Sequence, residues 1–166
     1  MSRTLKFLHV LGAIGLTGSL VCCLTLVHVA DEDATLQTLL RTRQDIDAIC
    51  TWVLLPSLMI VLFAGLLAIA AHAPFMQARW VWVKAATGLA MFEGTLGLIQ
   101  GPAREAVKLT ASALDGRLQP DRLELLVPDQ RTSLCVMLSL AIANIALAIW
   151  RPRLGQSRQT GGGATT

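Results

Sequence analysis

The chain contains no tyrosine, and its aromatic residues amount to 5% of the total. Tyrosyl chemistry is therefore excluded. Charge is scarce as well. Asp, Glu, Lys and Arg make up 15% of the residues, against about 25% in a soluble domain. So little polar surface would not cover a water-soluble globule, which rules out a soluble enzyme and a disordered tail. Four cysteines in 166 residues are too sparse for a secreted disulfide scaffold. A net charge of +3, spread along the chain, gives no nucleic-acid footprint. There is no nucleophile elbow, phosphate loop or zinc spacing. What the chain has is apolar mass: 54% hydrophobic residues and a mean hydropathy of +0.58.

That mass falls into four runs, Phe7–Val29, Ile49–Ala71, Trp80–Gln100 and Thr132–Trp150. Each is long enough to cross a hydrocarbon core of about 30 Å at about 1.5 Å per residue. The first follows a basic head, Arg3 and Lys6, as a signal peptide would. It is too long for that role, and Val27-His28-Val29-Ala30 offers no small-x-small cleavage site, so it reads as an uncleaved span. The expected fold is all-α, a polytopic integral membrane protein built as an antiparallel bundle of four transmembrane helices. Residues 1–152 form one membrane domain and 153–166, with Gly161-Gly162-Gly163, a flexible polar tail.

The connections differ. Residues 30–48 read as a polar link and 72–79 as a tight turn around Pro74. Within 101–131, Pro102 and Pro120 bound an amphipathic stretch, Ala103–Leu118, which reads either as a helix on the membrane surface or as a solvated loop.

Four spans place both termini on one side. That side and the first turns of the spans hold Arg3, Lys6, Arg79, Lys84, Arg151, Arg153 and Arg158. The opposite side holds as many basic residues, offset by all the acids except Glu93. Totals are balanced, but basic density near the span ends favours cytoplasmic termini and an inner-membrane location.

A charge inside the hydrocarbon costs about 2.5–3.5 kcal/mol on insertion scales, so intramembrane polar groups tend to be paired and functional. The candidates are His9, Lys84 and Glu93, with His28, His72, Gln100 and Asn144 behind them. His9 and Lys84 lie just inside two spans that start on the same side, and His72 leaves a third span there. A neutral imidazole can ligate a metal or haem iron, and a buried amine can ligate or exchange protons. Against this stands a plain reading in which Lys84 snorkels to the headgroups and His9 caps an interfacial turn. Glu93 lies about 13 Å deeper than Lys84 and on the opposite face of the helix. It shares a face with Gly97 and Gln100, and is either a protonated acid bonded to a neighbouring helix or a step in a proton path.

Cys22, Cys23, Cys50 and Cys135 all fall in the half of the spans away from the termini. Thiolates would suit Cu(I), and Cys50 with Cys135 could form a disulfide, although no CxxC spacing supports either. Small residues that pack in helix contacts are the ordinary reading. Gly12, Gly15, Gly18 and Ser19 form a small-residue stripe on the first span, as do Gly88, Gly94 and Gly97 on the third. Trp52, Trp80, Trp82 and Trp150 sit at span ends, as interfacial anchors do.

Leu5-Lys6-Phe7-Leu8-His9-Val10-Leu11-Gly12, Leu55-Pro56 with Ala64-Gly65, Trp80-Val81-Trp82-Val83-Lys84 and Arg151-Pro152 occur in that order. Together they resemble the CopD-like superfamily of small membrane proteins, which includes uncharacterised integral membrane proteins and HemJ-type protoporphyrinogen oxidases. The resemblance implies haem b in the bundle, with His9 matching the helix-one histidine (a metal ligand) and Lys84 the helix-three lysine. It also implies oxidation of protoporphyrinogen IX with electrons passed onward. Helix one has Leu16-Thr17-Gly18 and Cys22-Cys23 in place of the Trp-x-x-Gly and Pro-Arg of the oxidases, and 101–131 is a longer connection. The uncharacterised branch is thus the nearer match.

The expectation is a bundle holding haem b or a metal through His9 and Lys84, with Lys84 and Glu93 as catalytic candidates and a membrane redox role. The lipid bilayer is the constant partner, joined by a second copy or a redox protein and not by nucleic acid. The alternatives are a scaffold or accessory subunit without cofactor and, resting on the cysteines, copper handling.

Overall fold

The computed structural model describes residues 3–30, 35–70, 79–127 and 129–150, and no strand occurs among them. α1 runs over Arg3–Ala30, α2 over Leu36–Ile49, α3 over Leu55–Ala70 and α4 over Arg79–Gly94. They are followed by α5 (Gly101–Leu114), α6 (Pro120–Leu126) and α7 (Gln130–Trp150). Two π-helical segments, Cys50–Leu54 and Thr95–Gln100, join α2 to α3 and α4 to α5. Each of those pairs is therefore one continuous rod.

Three helices are long and apolar enough to cross a membrane: Arg3–Val29, Leu36–Ala70 and Gln130–Leu147. The expected span Trp80–Gln100 is helical throughout but is not among these. Lys84 and Glu93 both fall within it, and two charges lower the mean hydropathy of so short a segment.

Two expected boundaries are overturned. Residues 36–48, within the 30–48 stretch read as a polar link, are helical. Thr35 caps the start, its side chain accepting from the Thr38 amide at 3.3 Å, and neither Gly nor Pro interrupts Leu36–Ile49. Arg41 and Asp45 are exposed, Arg43 and Asp47 half-buried, and Ile46 is buried. Pro102, read as a helix boundary, lies within a helix running from Arg79 to Leu114. A proline lacks an N–H and its ring crowds the carbonyl four residues back. Here the turn before it widens, so that Gly101 N–H donates to Leu96 O. The same solution precedes Pro56, where Leu55 N–H donates to Cys50 O. α5 ends at Leu114, short of the expected Leu118, because Gly116 takes φ 71° and Arg117 N–H folds back onto Ser112 O at 2.9 Å.

α1 packs chiefly along α3 and then α7, α4 packs on α3 and α7, and α2 packs on α5. The α1–α3 seam is close because a Cβ on Gly12 would stand 2.9 Å from Ser57 O, and one on Gly15 would overlap Ser57 Oγ. The bundle has an inner end, where α1 begins and α3 ends, and an outer end carrying the α2–α5 pair. Apolar side chains such as Phe7, Ile14, Phe63 and Leu67 face outward, the pattern of a bundle with lipid around it.

Candidate functional site

His9 projects from α1 toward α3 and its Nδ1 lies 3.0 Å from the Val61 carbonyl oxygen. A carbonyl only accepts, so Nδ1 carries the hydrogen, and in the neutral ring the lone pair resides on Nε2. This backbone contact sets both tautomer and ring orientation, as it does in histidines that ligate metals. Gly65 lies beside the ring, where a Cβ would stand 3.6 Å from His9 Cε1, an ordinary van der Waals contact.

His9 lines a cavity of about 650 Å³ between α1, α3, α4 and α7. The walls are mainly apolar, from Ala13, Leu16, Leu58, Leu62, Met91 and Ala141 among others; Thr17 and Asn144 supply further polar groups. Val10, Ile14, Gly18 and Ile145 also line it and are exposed, so the cavity opens sideways between α1 and α7. Asn144 Oδ1 is buried with no hydrogen-bond partner among the described residues. An unpaired buried amide oxygen is costly, and here it borders a space large enough for a ligand. Asn144 is a minor candidate from sequence. Its side chain proves to be the unsatisfied polar group of the cavity wall.

Lys84 lies on α4 one turn before Gly88, which lines the cavity and packs on Leu62. Val61 and Leu62 are adjacent, so the α4 backbone at Lys84 is within about one turn, roughly 5 Å, of the level of His9. The Lys84 side chain and all of His72 lie outside the described residues.

Glu93 is exposed on the outside of the bundle and is absent from the cavity lining. Gly97 is exposed beside it, as expected, but Gln100 is buried. The π-helical turn from Thr95 shifts the phase of the helix, so the shared face ends at Gly97. Glu93 and His9 are not brought together.

Of the cysteines, Cys23 and Cys50 are buried and Cys22 and Cys135 exposed. The two buried thiols come from α1 and the first π-helical segment and belong to one core cluster. Cys50 and Cys135 are both free, so the disulfide they could form is not present. No cluster of three His, Cys, Asp or Glu side chains suited to a metal occurs among the described residues.

At the outer end, Arg43 on α2 reaches α5, donating to Thr110 Oγ1 and to Ala106 O at 3.4 Å. Asp47 and Arg104 add an ion pair at 3.6 Å, too exposed to contribute much.

No protein-family model matches the chain, nor does any curated protein or solved structure. The site stands on its own geometry.

Proposed function

We propose that this protein is a four-span inner-membrane protein of CopD-like type that holds haem b in its lateral cavity and serves a membrane redox role. The observation that carries the reading is the place of His9 in the wall of that cavity, its ring held by the Nδ1–H bond to Val61 O; histidine is a residue type that ligates haem iron. The residues present fit such a group. The cavity volume of about 650 Å³ lies within the range of about 300–1,000 Å³ typical of small-molecule sites, its walls are apolar, and Asn144 offers an acceptor to a polar edge. When bound, haem supplies one-electron chemistry.

The chain's own residues do the rest. His9 ligates, Val61 orients His9, and the leucines and methionine of the wall exclude water. Lys84, one turn of α4 before the cavity-lining Gly88, is assigned as a second ligand or as a group that exchanges a proton. Glu93 faces away from the cavity, so its place in this reading is at a contact with a second copy or a redox partner. Cytoplasmic termini follow from the basic residues at the inner end, with Trp80–Gln100 as the fourth span despite its two charges.

The test is the absorption spectrum of detergent-purified protein. A Soret band that His9→Ala abolishes supports the reading. A colourless protein that takes up no haem on reconstitution overturns it in favour of a scaffold without cofactor.

A further inference from the structure

The polar groups of the cavity wall define what it can hold. Asn144 Oδ1 is buried and has no hydrogen-bond partner among the described residues. It stands in the interior of α7, where the backbone N–H groups are committed to the helix, so the helix offers it no donor. On the α1 wall, the Thr17 hydroxyl donates to Ala13 O at 2.8 Å. His9 Nδ1–H is held by Val61 O at 3.0 Å. An occupant that brings a donor to Asn144 Oδ1 removes the cost of leaving that oxygen buried and unpaired.

Water is poorly suited to that task. Asn144 lies inside the apolar window Gln130–Leu147, and the mouth is framed by Val10, Ile14 and Ile145, all exposed on the outside of the bundle. Lipid chains surround such a mouth, and a water needs about two to four polar partners where the walls are mainly apolar. The occupant therefore arrives through the lipid phase. His9 and Gly18 both line the cavity, which thus runs about 13 Å along α1 at about 1.5 Å per residue. That length suits an elongated molecule.

We propose that the cavity binds an elongated apolar alcohol or phenol, drawn laterally from the bilayer between α1 and α7, whose hydroxyl donates to Asn144 Oδ1. Its apolar body exchanges lipid contacts for the leucine and methionine of the wall. Selection then rests on the hydroxyl: an ether of the same shape keeps the apolar contacts and leaves Oδ1 unpaired. A ligand with many polar groups would bury most of them without partners. The inference deepens the haem reading by naming a substrate class for the same cavity, and rests on that reading for the role of substrate; the binding itself needs no haem.

The experiment uses the full chain in phosphatidylcholine nanodiscs, with para-nonylphenol and its methyl ether as probes. Equilibrium dialysis measures uptake, and empty nanodiscs give the partition into lipid alone. After that correction the wild-type chain is expected to bind the phenol about tenfold more tightly than the ether. Asn144→Leu, of the same branched shape, should abolish the preference by weakening the phenol alone, whereas a purely structural role for Asn144 would weaken both probes. Gly18→Leu, at a position where a Cβ meets nothing within 4 Å, should obstruct the mouth and weaken both together. Equal affinities in the wild type, a preference that survives Asn144→Leu, or uptake no greater than by empty nanodiscs overturns the proposal. The Soret band of the same samples reports on haem separately. A hydroxyl preference without a band, before or after haem reconstitution, sustains this inference and overturns the haem reading; a band without the preference does the reverse.

Discussion

The inner and outer halves of the bundle are built to different standards. The outer half is solid. Leu20, Cys23, Cys50, Leu54, Thr95, Ala106, Thr110, Leu134 and Met137 are all at or below 1% exposure, and Arg43 laces α2 to α5. The inner half is hollow: the same helices part around His9 and Asn144, and the space opens toward the surroundings. Close packing stabilises and leaves nowhere for a ligand, whereas a cavity forgoes contact energy and provides a site. One set of helices thus divides the two tasks along its length.

Substitutions matched across the boundary are the sharpest way to break this comparison. Leu54→Ala in the solid half is expected to cost about 2–5 kcal/mol, measured by unfolding in mixed micelles. Leu62→Ala, which enlarges an existing cavity, should cost less than half as much. Equal costs would mean that the hollow half is packed after all.

Arg43→Met should cost about 1.5–3 kcal/mol, the value of hydrogen bonds to a charged group. It should leave any Soret band intact, because Arg43 is in the outer half. Loss of the band would show that the halves are coupled.

Glycines of one stripe form the third pair. Gly12→Ala drives a Cβ onto the Ser57 carbonyl and should destabilise by about 1–3 kcal/mol. At Gly18 a Cβ meets nothing within 4 Å, so Gly18→Ala should be neutral within about 0.5 kcal/mol. Gly18→Leu should instead obstruct the cavity mouth and lower cofactor uptake with the fold intact.

The smallest effect concerns acid. Asp129 caps α7, accepting from the Arg131 amide at 3.0 Å and from Thr132 Oγ1 at 2.6 Å. The Thr132 hydroxyl first, then the backbone amides and Arg131, hold its carboxyl below the usual value. A carboxyl lowered in the folded state contributes stability above its unfolded pKa and loses it as pH falls through the folded one. Unfolding scans below about pH 4 should therefore show a small loss that Asp129→Asn removes, while Asp129→Ala costs about 0.5–1 kcal/mol at neutral pH.

Much of this architecture is legible in the sequence. Long apolar runs mark the helices, and the Gly12–Gly15 stripe marks a close contact. The divergence of Cys22 and Cys23 follows from the helical step of about 100°. The outer α2–α5 pair is hidden because Asp45, Asp47, Arg41 and Arg43 read as a solvated link when they decorate a helix, and because Pro102 reads as a stop. The direction of Glu93, the burial of Cys23 and Cys50 and the partner of His9 depend on how each helix is rotated about its axis. A helix that is apolar on all sides has no amphipathic stripe to reveal that rotation. Asn144 is inconspicuous because one amide among apolar residues marks a site only when a cavity lies beside it.

The two widened turns before Pro56 and Pro102 set the reading frame of the rods. Each accommodates one residue more than a plain α-helix would, so everything beyond it is turned by about 100° relative to unbroken α-helical counting. Deleting a single residue between Cys50 and Leu54 would restore ordinary spacing and swing Arg43 away from Thr110, with His9, Val61 and the cavity unmoved. The outer helices are in this sense geared to the bundle through two single-residue offsets.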